Sequence, residues 1–160
     1  MQNLVRIYGE NAPLIQKFII STLNNANIKA LNASLIERLY KAFPSLDRIY
    51  KTDEKFTQSS PSIYINHEES KHIGVNRNYL INEAEFQKGS FISAPYVSIR
   101  TGILCIRVVY QVEDGYLFLD FKLGRILERL DLIEKNDLFK KVHQFSYSII
   151  GGGMLFFGVF

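Results

Sequence analysis

Two β-type runs, Thr101–Val112 and Tyr116–Phe121, flank Glu113-Asp114-Gly115. An Asp-Gly pair between apolar or alternating runs is among the strongest short hairpin signals, because such turns need residues that tolerate positive φ. The hairpin constrains its neighbours. A third run, Ser90–Ile99, precedes it and is broken by Pro95. A helical pattern follows, in which Leu123, Ile126, Leu127 and Leu130 recur at i, i+3, i+4 and i+7. The order is strand, strand pair, helix, which predicts an antiparallel sheet closed by a C-terminal helix.

Upstream, Asn11 and Pro13 mark a helix start, since proline is tolerated in a first turn. Leu14, Ile15, Phe18, Ile19 and Leu23 then form one apolar stripe. The run Asn24-Asn25-Ala26-Asn27 ends it. Ser34-Leu35-Ile36-Glu37 fits a capping box, and Ile36, Leu39, Tyr40 and Phe43 continue a second amphipathic helix that Pro44 stops. Both helices have an apolar side to lay against the sheet. Leu46–Lys51 reads as a strand, Thr52-Asp53-Glu54 as a turn and Lys55–Gln58 as a weaker strand. Ser62–Asn66 is a further short strand, and Ile73–Phe86 is helical in parts.

With 160 residues, the chain is the length of one ordinary domain. A hydrophobic content of 47% is enough to bury a core. The net charge of +3 is spread among acidic residues, with no basic stripe of the kind nucleic acid requires. A single cysteine, Cys105, excludes an internal disulfide and reads as a small buried apolar residue. His67, His72 and His143 lack metal-ligand spacing, and His67 beside Glu68-Glu69 reads as a solvated charge cluster. No nucleophile elbow, phosphate loop or dinucleotide fingerprint is present, so neither an enzyme nor a cofactor is expected.

The last 16 residues, Phe145–Phe160, contain no charge and include three consecutive glycines. Glycine runs are poor in soluble helices and common in membrane helices. Counted from Val142 the run is 19 residues, against the roughly 17–25 that a span takes. Residues 142–160 therefore read as a membrane anchor, with a buried terminal element as the other reading. Lys135, Lys140 and Lys141 precede the run, and no secretory signal opens the chain, because Glu10 interrupts Met1–Tyr8. Both features favour residues 1–141 on the cytoplasmic side of a membrane.

The order of several short motifs resembles the Cache, or PDC sensor, family. These are Ile49-Tyr50-Lys51-Thr52-Asp53-Glu54, Arg77-Asn78-Tyr79, Pro95-Tyr96, Thr101-Gly102, Cys105-Ile106-Arg107 and Leu119-Asp120-Phe121-Lys122-Leu123. The resemblance covers about residues 33–132. It implies an α+β, PAS-like antiparallel sheet with the N-terminal helices packed on one face and a closing C-terminal helix. It also implies a ligand pocket between the sheet and the 73–86 segment. The missing N-terminal membrane helix and the unmatched remainder of the family's amino-acid motif set this chain apart from the usual pattern.

Five residues are candidate ligand contacts: Arg77, Tyr79, Tyr96, Arg107 and Asp120. The planar fork of Arg77 suits a bidentate grip on a carboxylate, or it lies on the surface of a polar loop. Tyr79 and Tyr96 either face a ligand or simply pack. Arg107, like Arg100, is placed on a central strand, where it pairs with an acid or lines the cavity. Asp120 either receives a ligand ammonium, as the resemblance implies, or caps the following helix. The expected function is a small-molecule-binding sensor domain in membrane-associated signal transduction. Its ligand is a small polar metabolite, a carboxylate or an amino acid, and a separate output protein reads it. The alternatives are a PAS-like interaction or homodimerisation module without a ligand, and an enzyme of unrecognised type.

Overall fold

In the computed structural model, residues 2–134 are described. The chain through Ile126 forms one compact unit; residues from Leu127 onward belong to a second, of which 127–134 are described. The apolar tail at 142–160 lies outside the described residues. Among those that are described, no helix is long and apolar enough to cross a membrane.

The fold is α+β. Helix α1 (Gln2–Asn25) and helix α2 (Ala33–Ala42) precede a seven-stranded antiparallel sheet. Its strands are β1 (Leu46–Thr52), β2 (Ser62–Ile63), β3 (Glu68–Glu69), β4 (Ser90–Ile92), β5 (Tyr96–Val97), β6 (Leu104–Val112) and β7 (Gly115–Lys122). Helix α3 (Leu123–Arg129) follows β7 directly. The spatial order is β3-β2-β1-β7-β6-β4, with β5 also paired to β6. The last strand among the described residues thus lies in the middle of the sheet. This is the antiparallel, PAS-like arrangement that the resemblance implied.

Side chains alternate between faces along a strand, so the cross-strand register sorts the two faces. Ile49, Leu119 and Val108 form one row across β1, β7 and β6, on the face that the N-terminal helices cover. Here Ile15, Ile19 and Leu23 of α1 and Leu35 and Leu39 of α2 are buried, and Phe43 packs edge-on against Phe121 at 5.0 Å. The Tyr110 hydroxyl donates to Asn24 Oδ1 at 2.6 Å, tying β6 to the end of α1. The opposite face carries Tyr50, Phe118 and Val109 in one row, joined by Phe56 and Phe91 in a second apolar cluster. A fully buried row of this size, at about 25 cal/mol per Å² of apolar surface, anchors the loops that cross this face.

Several local expectations need correction. Helix α1 begins at Gln2, so Pro13 is internal. Proline there removes only the donor to the Gly9 carbonyl, and the buried stripe on either side holds the helix through it. Leu14 is not part of that stripe and stays about half exposed. The cap of α2 is Asn32 rather than Ser34: its side-chain oxygen accepts from the Leu35 N–H at 2.9 Å. Lys55–Gln58 forms isolated bridges rather than a strand, Thr52 with Gln58 and Thr57 with Asn76. The 73–86 segment contains two 3-10 turns, Asn78–Leu80 and Glu83–Glu85, and no α-helix.

The hairpin is tighter than expected. Val112 and Gly115 are paired, so the loop is the two residues Glu113-Asp114. Gly115 is the first residue of β7, and a Cβ there would overlap the Thr52 carbonyl oxygen of β1. Close approach of a third strand, not the turn alone, demands the glycine.

Candidate functional site

The polar site grows out of the sheet register. Arg48 on β1, Asp120 on β7 and Arg107 on β6 are direct cross-strand partners on the face opposite the helices. Asp120 is only 3% exposed. Its Oδ2 accepts from Arg48 Nε at 2.9 Å and lies 2.8 Å from Arg48 Nη2, while its Oδ1 accepts from Arg107 Nε at 2.8 Å. The carboxylate is therefore a bridge between two guanidiniums. Both oxygens are engaged sideways across the sheet, which replaces the helix-capping reading of Asp120. It also uses up the charge that a ligand ammonium would need. Burial alone would make Arg48 and Arg107 easier to deprotonate, but Asp120 outweighs it and holds both above the usual arginine range.

Tyr96 closes one end. Its backbone pairs with Cys105 just after the Pro95 break, and this aims the ring at Arg107. The Arg107 guanidinium sits 4.5 Å above that ring and donates from Nη2 to the hydroxyl at 3.1 Å. Burial, and then the Asp120 charge, pushes the Tyr96 phenol upward. The Ser93 hydroxyl accepts from the Arg107 N–H at 2.9 Å and pins the bend between β4 and β5.

Arg77 reaches the site from a loop. The Arg77 N–H donates to the Phe56 carbonyl at 2.7 Å, and Gln58 and Gly74 exchange bonds with the same stretch. These contacts fix 74–77 against 56–58. Arg77 is buried, 7% exposed, which discards the surface-loop reading. Its Nε and Nη2 donate to Gln58 Oε1 at 3.1 and 2.7 Å, and its Nη1 donates to the Tyr79 hydroxyl at 3.1 Å. The Gln58 amide nitrogen donates to the Ser60 carbonyl and the Ser62 hydroxyl, so its oxygen is oriented toward Arg77. Among the described residues, every side-chain acceptor of Arg77 is neutral. A guanidinium has five N–H groups, and part of this fork remains open. Tyr79 is 71% exposed and stands at the rim.

Tyr50 lies at the base. The Arg48 and Arg77 guanidiniums are 5.2 and 5.1 Å from its ring centroid. Its buried hydroxyl has no hydrogen-bond partner among the described residues. Burial, then the nearby Asp120 charge, raises its pKa.

These groups line a cavity of about 590 Å³. Arg77, Tyr79, Tyr96, Arg107 and Asp120 all border it, so the structure brings the five candidates together. Arg48, Asp47, Tyr64 and His72 also line it and were not singled out from sequence. Arg100 also borders the cavity, but from the turn before β6 and not from a strand. It pairs with both oxygens of Asp47, at 2.9 and 3.0 Å, and lies 4.2 Å over the Tyr64 ring. Glu69 is 3.8 Å from Lys71 and 3.5 Å from His67. Desolvation, then Arg77 and Lys71, lowers the pKa of His72. Among the described residues, no cluster of His, Cys, Asp and Glu could hold a metal ion. Cys105 is buried, and burial pushes its thiol up to about 11, away from the range of a reactive thiolate.

No protein-family model matches the chain, and no curated protein matches it. Among solved structures, the chain is similar to the Bacillus subtilis YkuI protein, a protein with an EAL domain solved in complex with its substrate c-di-GMP and calcium. The TM-score is 0.58 at 19% identity, over 82% of this chain and 36% of that one. The chain thus spans about a third of that protein's length, and the likeness is one of fold.

Proposed function

We propose that the chain is the ligand-binding module of a sensor: a PAS-like domain of the Cache type that takes a small carboxylate-bearing metabolite between the sheet and the loop carrying Arg77. The observation that carries the reading is Arg77 itself. A charged group that is 7% exposed and held only by neutral acceptors is costly to bury. It becomes favourable when an anion completes its fork. An interior that served packing alone has no use for this arrangement.

Signalling requires that the ligand bind two states differently. An anion drawn to Arg48 and Arg107 competes with Asp120 for the same guanidiniums. Asp120 sits on the strand that runs straight into α3, so this competition bears on the position of that helix. In this reading the 142–160 tail tethers the module to a membrane, and a separate output protein reads the change. The second reading, an interaction or dimerisation module, draws on the exposed apolar residues Val97 and Ile99, which border the cavity.

A thermal-shift screen of organic acids, amino acids and purines on the full chain in mild detergent tests the proposal. A carboxylate should raise the melting temperature, and Arg77→Ala should weaken its binding ten- to hundredfold, the worth of a charge-assisted hydrogen bond. A hit that binds Arg77→Ala equally well would place the site elsewhere, and a screen without a hit would remove the ligand-binding reading and favour the interaction module.

A further inference from the structure

The cavity's charges do not cancel. Arg100 is neutralised by Asp47, and Lys71 stands beside Glu69. What remains is Arg48, Arg77 and Arg107 around the single carboxylate of Asp120. Two positive charges are left over. The open bonding capacity is equally one-sided. Among the described residues, each of the three guanidiniums keeps N–H groups with no acceptor, whereas each Asp120 oxygen already accepts from an arginine. The remaining carboxylates on the lining, Asp47 and Glu69, each face a cation of their own.

We infer, building on the sensor reading above, that the ligand is a dianion without a charged amine, a dicarboxylate or a phosphate monoester. Such a ligand matches the surplus charge and finds donors on all three arginines. An ammonium group would find no unpaired carboxylate on the lining and would face guanidiniums of its own sign. The site therefore selects against α-amino acids by repulsion as well as by the lack of an acceptor. A monocarboxylate would leave one of the two surplus charges uncompensated.

Calorimetric titration of the full chain with four probes tests this. Succinate and L-aspartate differ by one ammonium group, propionate carries a single carboxylate, and glycerol 3-phosphate supplies the phosphate monoester. The expected result is that succinate or glycerol 3-phosphate binds at least tenfold more tightly than both L-aspartate and propionate. Whichever of the two wins identifies the oxyanion. Its affinity should fall as salt is raised, and by tenfold or more in Arg77→Gln, while Arg77→Lys, which keeps the charge, should retain part of it. Circular dichroism melts of both variants would verify that they are folded. L-aspartate binding as tightly as succinate would overturn the inference and leave the sensor reading standing. No binding of any probe at millimolar concentration would overturn both.

Discussion

Asp120→Asn is the most informative single change. The substitution keeps the shape and removes the charge that bridges Arg48 and Arg107. Breaking a buried ion pair by removing one partner costs about 3–5 kcal/mol, because the other charge is left uncompensated. Here the two arginine side chains are 18% and 11% exposed toward the cavity, so water reaches them and a loss of about 2–4 kcal/mol is expected. For a domain of this size that is a fall of roughly 4–16 °C in melting temperature. Urea unfolding followed by far-ultraviolet circular dichroism suits a chain without tryptophan, and the midpoint should drop with little change in slope. The variant should also respond more strongly than the parent to added succinate or sulfate, since a third cation is now unpaired. A loss below about 0.5 kcal/mol would refute the bridge. It would revive the helix-capping reading, because asparagine caps about as well as aspartate.

Other expectations follow from single positions. Gly115→Val should destabilise the domain by several kcal/mol in the same urea assay, since its Cβ would overlap a backbone carbonyl that no rotamer change can relieve; a cost under about 1 kcal/mol would mean that β1 yields there. Tyr50, Tyr96 and Tyr40 have pKa values raised first by burial, so their neutral forms favour the fold; that contribution is complete below about pH 10 and is lost as pH rises through the raised values. An ultraviolet titration should show these phenols ionising late, together with alkaline unfolding; nine tyrosines ionising together near pH 10 in the folded protein would contradict it.

The sheet-and-helix architecture was legible because apolar runs mark the central strands, buried on both faces, and helical spacing marks the stripes of the helices. Leu119 and Phe121 alternate on β7 toward the helices, and Ile15, Ile19 and Leu23 recur at helical spacing. Two of the errors lie at element ends. Pro13 looked like a start because local rules put proline in a first turn, while tertiary packing carries α1 through it. Ser34 reads as a cap because a glutamate follows it at the right distance, yet the observed bond is made by Asn32.

The site was legible only in part, for a physical reason. Arg77, Tyr79, Tyr96, Arg107 and Asp120 were recognised singly, but what each does depends on partners from other strands. Arg48 was missed because nothing near it in sequence marks it; its role comes from pairing with Asp120, 72 positions away. One half of the bridge was accessible. With a two-residue loop at Glu113-Asp114, Arg107 and Asp120 are equidistant from the turn and therefore face one another. That register already argues against a free Asp120, and so against an ammonium ligand, before any side chain is placed. Strand β1 then determines the sign of the pocket. A carboxylate facing one arginine is neutral, whereas one wedged between two leaves a surplus that Arg77 increases. The choice between a zwitterionic and a dianionic ligand thus rests on the contact of β1 with β7, a long-range pairing that no local pattern encodes.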